Sequence, residues 1–87
     1  MACPGMLRVE VVDAGYGSAM LVPGIEVLLF TMDGEVVRAG FTDNFGEAAF
    51  VVEQGPYIVS CTLDGVLQER MISIGCNQAI DPLRFYF

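Results

Sequence analysis

No histidine, no lysine and no tryptophan occur among these 87 residues. Each absence removes a class of function. Without histidine there is no imidazole to serve as general base, to complete a Ser-His-Asp arrangement or to ligate a metal. Without lysine there is no amine for Schiff-base chemistry. Without tryptophan, a sugar-stacking platform would rest on Tyr16 or Tyr86 alone. Charge is also scarce, at 17% of residues against roughly 25% in ordinary soluble domains. What charge there is leans acidic: eleven Asp and Glu face four arginines, a net of −7. Nucleic acid is therefore not an expected partner, because phosphate contacts need clustered Lys and Arg. Docking on anionic membranes is disfavoured for the same reason. No segment approaches the ~20 apolar residues that span a bilayer, so membrane insertion is not expected. The stretch Met1-Ala2-Cys3-Pro4-Gly5 lacks the basic region and apolar run of a secretory signal. The expected setting is cytoplasmic, or a particle such as a virion, in a reducing compartment. Cys3, Cys61 and Cys76 are an odd number without zinc-type spacing. They read as free thiols that pack like small hydrophobes, with a Cys61–Cys76 bridge as the alternative.

Apolar residues, by contrast, are plentiful. They make up 54% of the chain, with six Phe and three Tyr, which excludes disorder. The length suits one domain spanning 1–87. So short a chain buries only about 60–65% of its unfolded surface, and its core must be dense. The pattern is one of short alternating runs between turn residues, the mark of a sandwich or barrel. Leu7 to Val11 alternates cleanly, and Ile25 to Phe30 follows a loop through Gly15, Gly17 and Pro23-Gly24. Asp33-Gly34 then signals a hairpin, since both positions tolerate positive φ, and Val36 to Phe41 is the return strand. Asp43-Asn44-Phe45-Gly46 makes the next turn, before strands over Glu47 to Val52 and Tyr57 to Leu63. A second Asp-Gly pair, Asp64-Gly65, leads to Val66 to Ile74, and Ile80 to Phe87 ends the series. No window sustains a helical period, although a helical turn between Gly15 and Met20 would fit the loop.

Three stretches carry a resemblance. They are Val22-Pro23-Gly24-Ile25-Glu26-Val27-Leu28-Leu29, Thr42-Asp43-Asn44-Phe45-Gly46-Glu47-Ala48-Ala49-Phe50, and Gly55-Pro56-Tyr57-Ile58-Val59. Together they resemble the carboxypeptidase-regulatory-like, transthyretin-like and collagen-adhesin B-type domains over nearly the whole chain. The resemblance implies a seven-stranded antiparallel Ig-like (prealbumin-like) β-sandwich serving as an appendage or assembly module. It implies no activity, because fold and function separate. The adhesin branch uses a lysine for an intramolecular isopeptide bond with asparagine. This chain has no lysine and cannot make that bond.

The remaining candidates for chemistry are weak. Asp43, Asn44 and Glu47 surround a glycine, but the ladder of alternating oxygen ligands in a calcium loop is missing. Asp and Asn are ordinary turn formers there. Ser18, Ser60 and Ser73 have no base to activate them, and Gly15-Tyr16-Gly17 is too short for a phosphate loop. Neither an enzyme nor a cofactor is expected, and a small-molecule ligand is disfavoured.

The informative feature is an apolar surplus. If Leu7, Val9 and Val11 point inward, parity places Ile25, Val27, Leu29, Ala48, Phe50, Val52, Tyr57, Val59 and Cys61 inward too. Leu28, Phe30, Ala49, Val51 and Ile58 are then left on the outer face, where sandwich strands normally carry polar residues. Leu28, Phe30, Val51 and Ile58, with Phe85 and Phe87 of the aromatic C-terminal run, are the expected interface. That run could pair within its own sheet or add to a neighbour's edge. The expected role is a structural or interaction module that self-assembles or docks on a larger protein assembly. The alternative is a carbohydrate- or peptide-binding accessory module using end loops, with Tyr16 and Phe45 as its candidates.

Overall fold

The computed structural model describes residues 3–15, 20–77 and 79–87. Among these, every regular element is a strand: β1 (Pro4–Asp13), β2 (Met20–Leu21), β3 (Glu26–Phe30), β4 (Val36–Phe41), β5 (Glu47–Glu53), β6 (Gly55–Leu63), β7 (Val66–Ile74) and β8 (Ala79–Tyr86). Seven match the expected strands, and the two-residue β2 is an addition. The helical turn expected between Gly15 and Met20 falls on residues 16–19, outside those described, while Met20 itself belongs to β2. No helix is long and apolar enough to cross a membrane among the described residues.

The strands form two sheets. One has the order β4-β3-β6-β7, antiparallel throughout. In the other, β1 is the hub, antiparallel to β5 and β2 but parallel to β8. The expectation of a wholly antiparallel sandwich fails at that pair. Its cause is the route of the chain: β7 lies in one sheet and β8 in the other. A hairpin reverses direction by construction, whereas a crossing between sheets leaves the direction open. The register between β1 and β8 shifts past Leu7, alongside Asp81 and Pro82. A bulge suits a proline there, since it has no N–H to give the ladder.

The inward parity holds. Leu7, Val9, Val11, Val27, Leu29 and Val59 have no exposed surface, and Ala48, Phe50, Val52, Tyr57 and Cys61 are buried with them. Ile25 packs on this core from its edge, partly buried. Ile74 and Phe85 complete the core from the last two strands. Where the chain passes from β5 to β6, the Tyr57 hydroxyl donates to the Glu53 carbonyl at 2.6 Å. A tyrosine so placed ties down the corner between the sheets of a sandwich.

The cysteines depart from expectation. Cys3 and Cys76 form a disulfide, their Cα atoms 5.1 Å apart, and Cys61 is the free, buried thiol. Parallel register explains the pairing: Cys3 lies three residues before Met6, Cys76 three before Ala79, and Met6 and Ala79 are partners. The Asn77 N–H donating to the Pro4 carbonyl at 2.9 Å holds the same junction. Cys61, by contrast, is an inward residue of β6 opposite Val27. Burial pushes its thiol up to about 11, against a smaller opposing pull from the Arg70 charge.

Candidate functional site: an apolar outer face

The two sheets present different exteriors. On the β1 sheet, the outward residues include two ion pairs. Arg8 donates through Nε and Nη2 to the two carboxylate oxygens of Glu47, at 2.8 and 2.9 Å. Arg84 Nε donates to Glu10 at 2.8 Å. The Arg8 hydrogen bond holds the Glu47 carboxyl below its usual range, despite a smaller opposing effect of desolvation. Val12 is also buried, flanked in register by Leu21 and Tyr86.

The outer face of the other sheet is built differently. Phe30 of β3 is in register with Val36 of β4 on one side and Ile58 of β6 on the other, and Ile58 is in register with Met71 of β7. Val36, Phe30, Ile58 and Met71 therefore make one apolar row across all four strands. The neighbouring row adds Leu28 beside Ala39. Val36 and Met71, at the two ends, are 50% and 69% exposed. Leu67 and Phe41 extend the apolar surface along the edge strands, and both are exposed.

Three of the six expected interface residues, Leu28, Phe30 and Ile58, thus share this face, each half-buried. The other three do not join them. Val51 is exposed, but on β5, in the opposite sheet, so it cannot belong to the same surface. Phe85 has no exposed surface and is a core residue. It points inward from β8, with the Arg70 guanidinium 5.4 Å from its ring centre. Phe87 is partly buried against the core, and its N–H donates to the Val12 carbonyl at 2.8 Å. The aromatic C-terminal run consequently pairs within its own sheet, parallel to β1. Alternation within one strand reports its two faces but not which sheet it joins, hence the misplacement of Val51.

Val36 and Met71 were missed although a signal for Met71 existed. Asp64 and Gly65 form a two-residue turn with φ of 51° and 80°. A two-residue turn sets the register of its hairpin. Counting back from Leu63↔Val66 gives Ile58↔Met71. Val36 is harder to reach, because the register shifts between Leu29 and Phe30.

The acidic turn is held by its own backbone. Asp43 Oδ1 accepts from the N–H groups of Phe45 and Glu47 at 2.9 and 3.1 Å. Glu47 is engaged by Arg8. Thr42, 4% exposed, accepts from the Ile25 N–H at 2.9 Å and donates to the Val22 carbonyl at 2.7 Å. The residues of the Thr-Asp motif are thus engaged in joining the Pro23-Gly24 loop to the β4–β5 turn. Among the described residues no cluster of three metal-ligating side chains occurs. Thr42, Asp43 and Glu47 thus hold the fold together.

Comparison with known proteins yields the fold. No protein-family model and no curated protein sequence matches the chain. Among solved structures it is similar to the Bacillus anthracis TIE protein, with a TM-score of 0.78 and 22% identity over 98% of this chain. It is also similar to GBS52, the minor pilin of the Gram-positive pathogen Streptococcus agalactiae, with a TM-score of 0.82 and 14% identity over 99% of this chain. The match spans 17% of the first protein and 44% of the second. The chain therefore has the Ig-like two-sheet β-sandwich fold seen within these two proteins, at the size of one part of each.

Proposed function

We propose that this chain is a non-catalytic structural module that assembles with copies of itself, or docks on a larger protein assembly, through the outer face of the β4-β3-β6-β7 sheet. The observation that carries this reading is the contrast between the two exteriors. One is crossed by ion pairs, while the other carries an uninterrupted apolar row from Val36 to Met71. A contiguous apolar patch of several hundred Å2 marks an interaction site on a soluble protein. The pilin likeness supports a place within an extended surface assembly. The Cys3–Cys76 disulfide favours an exterior, oxidising setting, whether of a cell or of a particle such as a virion, over the reducing one expected from free thiols. For the accessory-module reading, Tyr16 lies outside the described residues, and Phe45 stands 75% exposed at the tip of its turn.

Light scattering of the purified, oxidised chain tests the proposal. The parent should form a defined oligomer, or bind a protein encoded beside it, through about 1,000 Å2 or more of buried surface. Met71→Glu should weaken that association at least about tenfold while leaving the melting temperature unchanged. Phe30→Glu should do the same with some loss of stability, because Phe30 is half-buried. A parent that stays monomeric at millimolar concentration and binds no such protein removes the reading.

A further inference from the structure

We infer that the Cys3–Cys76 disulfide carries tension applied at the two ends of the chain past the sandwich, so that the backbone of residues 4–75 lies outside the covalent force path. The argument begins with direction. β1 and β8 run parallel and side by side, with Met6 opposite Ala79 and Val12 opposite Tyr86. The chain consequently enters at one pole and leaves at the other, in a molecule 46 Å long. Without a cross-link, pulling the ends apart would slide β8 along β1 and load every hydrogen bond between them.

The disulfide replaces that path. It joins residues 73 apart in sequence, at the pole where both strands begin. Force entering at Cys3 crosses to Cys76 and leaves along β8 to Phe87. Everything from β1 to β7 hangs off this covalent line as a closed loop. The remaining path is also short of slack. β8 is a strand, extended to ~3.3 Å per residue, close to the ~3.6 Å limit of the chain. Stretching it therefore yields almost no length. The Asn77 N–H bond to the Pro4 carbonyl and the Gln54 N–H bond to the Cys3 carbonyl, at 2.9 and 3.2 Å, brace the junction where force crosses from one segment to the other. The inference is independent of what covers the apolar face.

Single-molecule pulling between handles at Met1 and Phe87 tests it. The oxidised parent should show no unfolding step longer than about 10 Å, well above the ~3 Å of slack left in the eight-residue β8. Added reductant should release a step of about 250 Å, the contour of the 73-residue separation. The Cys3→Ser/Cys76→Ser variant should reach the same full length, through a step if it folds and as a plain elastic chain if it does not. A long step in the oxidised parent overturns the inference. So does a denatured parent, purified without reductant, in which all three cysteines alkylate.

Discussion

Gly46 meets two demands at once. Its φ is +71°, and a Cβ placed there would lie 2.7 Å from both Leu21 Cβ and the Val22 nitrogen. Gly34 and Gly65 share the positive φ but face open space. Substituting Gly34 or Gly65 by Ala should therefore cost about 1 kcal/mol, the strain of the left-handed region alone. Gly46→Val should cost several times more, since the β2 backbone must also move, and thermal melting in parallel would rank the three. Equal melting temperatures for Gly46→Val and the parent would show that β2 does not approach the turn. Cys61 supports a prediction of another kind. Its thiol is raised from an ordinary value of 9.0 to about 11, chiefly by burial. The unfolded chain loses this proton first, so the contribution is full below pH 9 and is lost as pH rises through 11. Denaturant titrations should show stability falling across that window in the parent, with a shallower fall in Cys61→Ala. The same slope in both proteins would place the loss elsewhere.

At the scale of elements, the strands were legible and their partners only partly so. Alternation in Leu7 to Val11 and in Ala48 to Val52 assigns the inward faces correctly, because one buried face imposes a period of two. The hairpins differ in detail. Asp64-Gly65 has positive φ at both residues, as expected, whereas near Asp33-Gly34 only the glycine does. There the Gly34 N–H donates to Thr31 and the Thr31 N–H to Glu35, closing a three-residue loop. The Thr-Asp motif read as a turn signal, but the partner of Thr42 could not be seen: Val22 and Ile25 come from a loop twenty and seventeen residues away. Thr42→Val keeps the shape of the side chain and removes both bonds. It leaves a part-buried N–H and carbonyl without their partner, which costs about 1–3 kcal/mol. Thr42→Ser should recover most of that loss. Chemical denaturation of the two variants is the measurement, and equal stability of Thr42→Val with the parent would show that water replaces the hydroxyl.

For the whole molecule, the disulfide outweighs any single contact. A loop of this length, 73 residues between the linked positions, is worth about 4 kcal/mol by loop-closure entropy. That is a large share of the 5–15 kcal/mol that holds most domains folded. Reductant, or Cys3→Ser, should lower the denaturation midpoint accordingly, and Cys61→Ala, which keeps the bridge, should lose as much on reduction as the parent does. A parent with the same midpoint with and without reductant would contradict this. The bridge was missed for the same reason as the parallel strand. Turn residues report reversals, and neither Cys3 nor Cys76 adjoins one that brings them together. The apolar face was half legible in a similar way: Leu28, Phe30 and Ile58 follow from parity, while separating Val51 from them requires knowing the sheet to which β5 belongs.

The parallel pairing of β8 with β1 also sets a clock. β1 leaves the ribosome first and β8 last, yet they are neighbours, and Phe85 fills the core between them. Until those final residues emerge, β1 lacks one flanking strand and the core lacks one of its largest side chains. The fold can close only once β8 has left the ribosome.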